Sequence, residues 1–129
     1  MGDYTKTLIC YYQGAYGPTI RIEVKEREWL EYFKKSILSL IEGGVPEVKI
    51  DCLDNVEVAD LESLTLIKAQ CIRYQKVLKQ NNCFNWFQDI EELITLVGLI
   101  DGLLEGSGSG HQYLVDDEGY FIIVLSYNE

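Results

Sequence analysis

Two segments of this chain repeat apolar residues at the spacing of an α-helix, and that pattern limits the fold more than any other feature. In residues 26–42, Trp29, Leu30, Phe33, Ile37, Leu40 and Ile41 fall on one helical stripe. Glu26 and Glu28 open the segment and Lys34 and Lys35 lie further along, an order that suits the helix dipole. Gly43-Gly44 supplies a C-terminal stop, and Pro46 follows it. In residues 89–104, Ile90, Leu93, Ile94, Val97, Ile100, Leu103 and Leu104 make a broader apolar face, which predicts a mostly buried helix. Asp89 reads as its N-cap, and Glu92 three residues on completes a capping-box pair. Gly98 and Gly102, four apart, would let another element approach closely.

The segments between and around these helices read as strands. Residues 5–12 and 19–24 flank the turn cluster Gln13-Gly14-Ala15-Tyr16-Gly17-Pro18 and predict a hairpin. Residues 47–53 alternate Val48 and Ile50 with Lys49 and Asp51, and residues 61–69 form a further strand. Residues 70–82 fit either a short helix or the far end of a hairpin, and residues 83–87 fit a strand. After the flexible connector Gly106-Ser107-Gly108-Ser109-Gly110, residues 111–115 and 120–127 predict a second hairpin, with Gly119 supplying its turn geometry. Apolar residues on both faces of 120–127 predict a central, covered strand. The expected fold is α+β: one domain over residues 1–129, with a mainly antiparallel sheet of about five to seven strands packed against the two long helices, 26–42 and 89–104.

Charge divides this chain unevenly. The net charge is −10, yet residues 1–79 hold all 11 basic side chains, and residues 80–129 hold none. Nine carboxylates lie in that second stretch: Asp89, Glu91, Glu92, Asp101, Glu105, Asp116, Asp117, Glu118 and Glu129. Such a balance argues against nucleic acid or an anionic membrane as partner, since both need clustered Lys and Arg. It fits either a solvated surface or an acidic face for a basic protein. The N-terminal residues lack a signal-peptide pattern, and no apolar run approaches the ~20 residues of a membrane span, so a cytoplasmic protein is expected. Cys10, Cys52, Cys71 and Cys83 have no paired metal-ligand spacing and read as buried, reduced thiols.

Few residues suggest chemistry. The glycine cluster 106–110 leaves a helix and lacks the Lys and Ser or Thr of a phosphate loop. His111 is the single histidine, and it reads as a hydrogen-bonding residue that pins a loop rather than a catalytic base. The acidic run Asp51, Asp54, Glu57, Asp60, Glu62 reads as a solvated loop, and Asp116-Asp117-Glu118 as a hairpin turn; neither has calcium-loop spacing. No catalytic residue, metal site or cofactor is therefore expected. Aromatic side chains are plentiful, with nine Tyr, two Trp and four Phe. Of these, Trp86 in Phe84-Asn85-Trp86-Phe87 fits either the core or an exposed anchor beside Glu91 and Glu92.

The C-terminal part resembles small acidic bacterial proteins of the immunity type. The resemblance lies in the aromatic strand 83–87, the helix end Leu99-Ile100-Asp101-Gly102-Leu103-Leu104, the element Gly110-His111-Gln112-Tyr113-Leu114 and the final strand 123–129. It covers residues 83–129 and brings no catalytic residues with it. It implies a protein that neutralises a cognate basic toxin domain, such as a nuclease, by covering its active site. The partner-binding candidates are then Trp86, Asp89, Glu91, Glu92, Asp101, Glu105, His111, Asp116, Asp117 and Glu118. The alternative is a non-catalytic subunit or adaptor, homodimeric through the last helix or an exposed strand.

Overall fold

The computed structural model describes residues 6–71, 75–117 and 120–129, with residue 117 described by its backbone alone. Strand β1 (Thr7–Gly14) turns through Ala15 and Tyr16 into β2 (Gly17–Val24), the hairpin the sequence predicts. Gly17 takes a φ of 128° to close it, a conformation that suits glycine. Helix α1 (Arg27–Glu42) follows, burying Trp29, Leu30, Phe33, Ile37 and Leu40 along the predicted stripe. Gly43, at φ 84°, ends it, and the amides of Gly43 and Gly44 return to the carbonyls of Leu40 and Ser39.

Strand β3 (Glu47–Lys49) is shorter than the sequence suggests, because a 3-10 turn at Ile50–Cys52 interrupts it. Strand β4 (Val56–Ala59) lies within the acidic run that reads as loop, and pairs with β1. Strand β5 (Ser63–Lys68) comes next, then β6 (Val77–Gln80) and β7 (Cys83–Gln88), which pair antiparallel. The ambiguous segment therefore ends as one arm of a hairpin, while residues 72–74 lie outside those described. Helix α2 (Ile90–Glu105) leads to β8 (Gly110–Asp117) and β9 (Phe121–Tyr127), the predicted second hairpin. Gly119 lies outside the described residues.

The fold is α+β, with nine strands among the described residues arranged in two mixed sheets rather than one mainly antiparallel sheet. The five-stranded sheet runs β4-β1-β2-β9-β8 and the four-stranded sheet β3-β5-β7-β6. Three pairings are parallel: β1 with β4, β2 with β9 and β5 with β7. Parallel neighbours need a crossover, and the two helices lie in the long connections between β2 and β9. A single hydrophobic cluster draws on both helices and both sheets, from Ile9, Ile20 and Ile22 to Leu64, Leu66 and Trp86. Tyr11, Phe84 and Phe121 tie the two sheets together, with ring centroids 4.9 Å and 5.7 Å apart for the pairs that share Phe84.

Helix α2 buries Leu93, Leu96, Ile100 and Leu103, a narrower stripe than expected; Ile90 and Ile94 are exposed. Of its two glycines, Gly102 meets the Gln112 side chain of β8, and Gly98 faces open space. No helix among the described residues is long and apolar enough to cross a membrane.

The cysteines correct the sequence reading. All four are free thiols, but Cys52 and Cys71 are exposed and Cys10 and Cys83 only half-buried. Cys52 escapes burial because it sits in the 3-10 turn, where strand alternation no longer holds. The Asp51 carboxylate, 3.5 Å away, pushes the Cys52 thiol up from its ordinary value. Burial, then the Glu23 carboxylate, does the same for Cys10. Thiolate is the reactive species, so a raised pKa slows alkylation at neutral pH. Asp51→Asn is expected to speed labelling of Cys52 by about two- to tenfold at pH 7. Mass-spectrometric timing of iodoacetamide labelling checks this, with Cys71 as the internal reference.

Candidate functional site

The register of the five-stranded sheet decides which side chains share its outer face, the face turned away from the helices. One cross-strand row reads Ala59, Cys10, Arg21, Val124, Tyr113. The next reads Tyr12, Thr19, Ile122, Asp116. Side chains alternate across a strand, so Ile20 and Ile123 between these rows, and Ile22 and Leu125 beyond the first, point into the core, and all four are fully buried.

A bulge in β8 sets this arrangement. The pairing slips between Tyr113 and Val115, so Leu114 is an extra residue, and Leu114 and Val115 are both buried. Without it, Tyr113 and Val115 would share a face and Asp116 would turn inward. With it, Tyr113 and Asp116 stand together on the outer face, opposite Val124 and Ile122.

The result is a groove of about 240 Å³ lined by Tyr12, Tyr16, Arg21, His111, Tyr113 and Glu129, among others. Its floor holds the short or branched side chains of Thr19, Ile122 and Val124, each under 10 % exposed. Its rim is aromatic: Tyr12 is 41 %, Tyr16 67 % and Tyr113 52 % exposed. A second hollow of about 270 Å³ adjoins it, lined by Tyr16, Tyr113, Asp116 and Ile122.

One end of the groove is polar. Arg21 lies 3.2 Å from Glu23 and 3.8 Å from Glu129, and Glu129 also meets His111 Nδ1 at 2.9 Å. His111 packs edge-on to Tyr113 with centroids 5.7 Å apart. The Asn128 amide donates to the Gly108 carbonyl, so the last residues hold the connector in place. His111 bonds Glu129 from strand β8, and it is Asn128 that holds the connector. Among the described residues, no group of three or more His, Cys, Asp and Glu is suited to hold a metal ion.

The other candidates scatter. Trp86 is fully buried on β7 and cannot serve as an exposed anchor; its strand turns it inward with Phe84 and Gln88. Asp89 is 9 % exposed because it is consumed as the N-cap of α2, accepting from the Glu92 amide at 2.8 Å. Glu92 returns a bond to the Asp89 amide and pairs with Lys76 at 2.6 Å. Asp101 pairs with Lys34 at 2.6 Å, and shares with Glu105 a hollow between the helices that Arg27, Lys34 and Lys35 also line.

Among the described residues, that leaves Glu91, Glu105 and Asp116 exposed and without an ion pair in the stretch 80–129. Glu91 and Glu105 sit at opposite ends of α2, roughly 21 Å apart along the helix, and Asp116 lies on the outer sheet face. The acidic stretch therefore does not make one continuous face. Basic residues from the first part of the chain fold back onto it, which composition alone does not reveal. The side chain of Asp117 and all of Glu118 lie outside the described residues.

The sequence reading missed Tyr12, Tyr16, Arg21 and Tyr113. A signal for the last was present, since Tyr113-Leu114-Val115-Asp116 breaks strict alternation and two adjacent apolar residues in an edge strand mark a bulge. Comparison of the chain with protein-family models, with curated proteins and with solved structures gives no match.

Proposed function

We propose that this protein is an acidic protein-binding inhibitor of the immunity type, which neutralises a basic partner domain by covering its active site. The observation that carries the proposal is the cluster of exposed Tyr12, Tyr16 and Tyr113 around a groove, with Asp116, which has no ion pair among the described residues, beside it. Tyrosine is enriched where binding energy concentrates, because it offers a large, stiff contact surface with a polar end. A net charge of −10 draws a basic partner at long range and selects against acidic ones. Such an inhibitor acts in the cytoplasm, where the four free thiols stay reduced.

Co-expression tests this with the basic domain encoded by a neighbouring reading frame. Cells that the domain alone kills are expected to grow when this protein is present, and the two chains are expected to co-purify. Continued killing without co-purification overturns the proposal. Asp116→Lys is expected to slow association about tenfold at low salt and to flatten its salt dependence. Stopped-flow mixing measures both.

A second role is favoured by one specific feature. Ile90 and Ile94, 44 % and 56 % exposed, lie one turn apart on α2, with Gly98 open one turn further on. An apolar strip of this kind fits a homodimer through α2. Sedimentation equilibrium is then expected to give a dimer that Ile94→Glu converts to a monomer. A monomer for the unaltered protein at high concentration excludes it.

A further inference from the structure

We infer that the hollow between Tyr16, Tyr113, Asp116 and Ile122 is a receptor for a single arginine side chain presented by the partner protein, an inference that rests on the proposed function and names the group recognised. Four side chains from three parts of the fold converge there. Tyr16 comes from the β1–β2 turn, Tyr113 and Asp116 from β8, and Ile122 from β9, paired with Asp116 on one side and Thr19 on the other. The rings are more than half exposed, and the floor beneath them is an isoleucine at 5 % exposure. The carboxylate is exposed and makes no ion pair among the described residues.

Each part matches one part of arginine. The methylene stem lies on the apolar floor. The planar guanidinium stacks on tyrosine rings, whose faces attract a cation. Its N–H fork donates two parallel bonds to a carboxylate. An ammonium has no plane to stack and no fork, so lysine fits less well. The β8 bulge is what makes the set complete, because an unbulged strand would put Asp116 on the opposite face from Tyr113. Charge complementarity selects a cationic occupant over an apolar or acidic one.

The test follows the tyrosine ring resonances of the whole protein by NMR during titration with N-acetyl-arginine methylamide. N-acetyl-citrulline methylamide, equal in shape and uncharged, and N-acetyl-lysine methylamide serve as comparisons. Saturable shifts at Tyr16 and Tyr113 are expected with the arginine amide, with citrulline at least about tenfold weaker and lysine between them. Asp116→Asn is expected to bring arginine down to the citrulline level, and Tyr113→Ala to remove the response at Tyr16. All the substituted positions are exposed, and an unchanged amide spectrum elsewhere shows that the fold is intact.

Equal responses to arginine and citrulline, or an undiminished response in Asp116→Asn, overturn the inference. The partner domain separates this result from the wider proposal. A complex that forms equally well with Tyr113→Ala and Asp116→Asn overturns the arginine receptor and leaves the inhibitor role standing. No complex with the unaltered protein overturns the inhibitor role, and the amide titration still decides the receptor.

Discussion

Replacing Trp86 by alanine is expected to destabilise the fold by about 3–5 kcal/mol, read as a lower urea midpoint in far-UV circular dichroism. Trp86 heads the fully buried side chains by volume and sits on β7 with Leu66 of β5 and Val77 of β6 as its cross-strand neighbours. Its removal leaves a cavity that the strands on either side of it cannot easily close. Small domains have a margin of only ~5–15 kcal/mol, so the variant loses a large share of its stability.

The indole carries a further detail. Its Nε1 is buried and has no hydrogen-bond partner among the described residues. An unmade bond of this kind costs about 1–3 kcal/mol. Trp86→Phe removes the donor along with part of the ring, so it is expected to cost less than half as much as the alanine change. A Trp86→Ala protein with an unaltered urea midpoint and a weakened partner complex would instead restore Trp86 to the interface.

The second large effect is expected at Asp89. Its carboxylate accepts from the Glu92 amide at 2.8 Å, and the Glu92 carboxylate accepts from the Asp89 amide at 3.0 Å. Alanine at 89 removes the carboxylate that accepts from the Glu92 amide, while its backbone amide can still donate to Glu92, and is expected to cost about 1–2 kcal/mol. Serine can still cap, so Asp89→Ser is expected to recover most of the loss. Glu92 also holds Lys76, so the first turn of α2 is tied to the segment that enters β6. Urea titration of the three proteins gives the order wild type, Asp89→Ser, Asp89→Ala. Glu91, next in sequence but exposed, gives the contrast: Glu91→Lys is expected to leave the midpoint within about 0.5 kcal/mol and to act on association alone. An Asp89→Ala protein as stable as the wild type would mean that the box contributes nothing to the fold.

Local patterns were legible where a local cause produced them. The stripe from Trp29 to Leu40 places α1 against the core because its period is that of the helix. The Asp89–Glu92 box follows from a spacing of three residues, and both hairpins follow from turn residues between strand-forming runs. The α2 stripe was legible only in part. Ile90 and Ile94 belong to the apolar pattern but lie beyond the arc that the sheets cover. The acidic run around β4 concealed a strand, because Val56 and Val58 are flanked by carboxylates and the strand forms only when β1 offers it a parallel edge.

The candidate site was less legible, since its parts come from four strands and a turn that no short window contains. His111 and Asp116 stood out by type, but nothing in the sequence set Tyr12, Tyr16 and Tyr113 apart from the other tyrosines. Charge was the most misleading signal. Counting along the chain puts nine carboxylates and no cation in residues 80–129, whereas folding returns Arg21, Lys34 and Lys76 to Glu129, Asp101 and Glu92.

The sequence by itself determined the two helices, the Gly43 stop of the first and the Asp89 cap of the second, the two hairpins and the α+β class, because periodicity, capping and turn chemistry act within a few residues. The tertiary structure alone decided the three parallel pairings, the division into two sheets, the pairing of Glu92, Asp101 and Glu129 with cations from the first part of the chain, and the outer-face groove. Each depends on which distant segments meet, and in β8 on a one-residue slip that turns Asp116 from the core to the surface beside Tyr113.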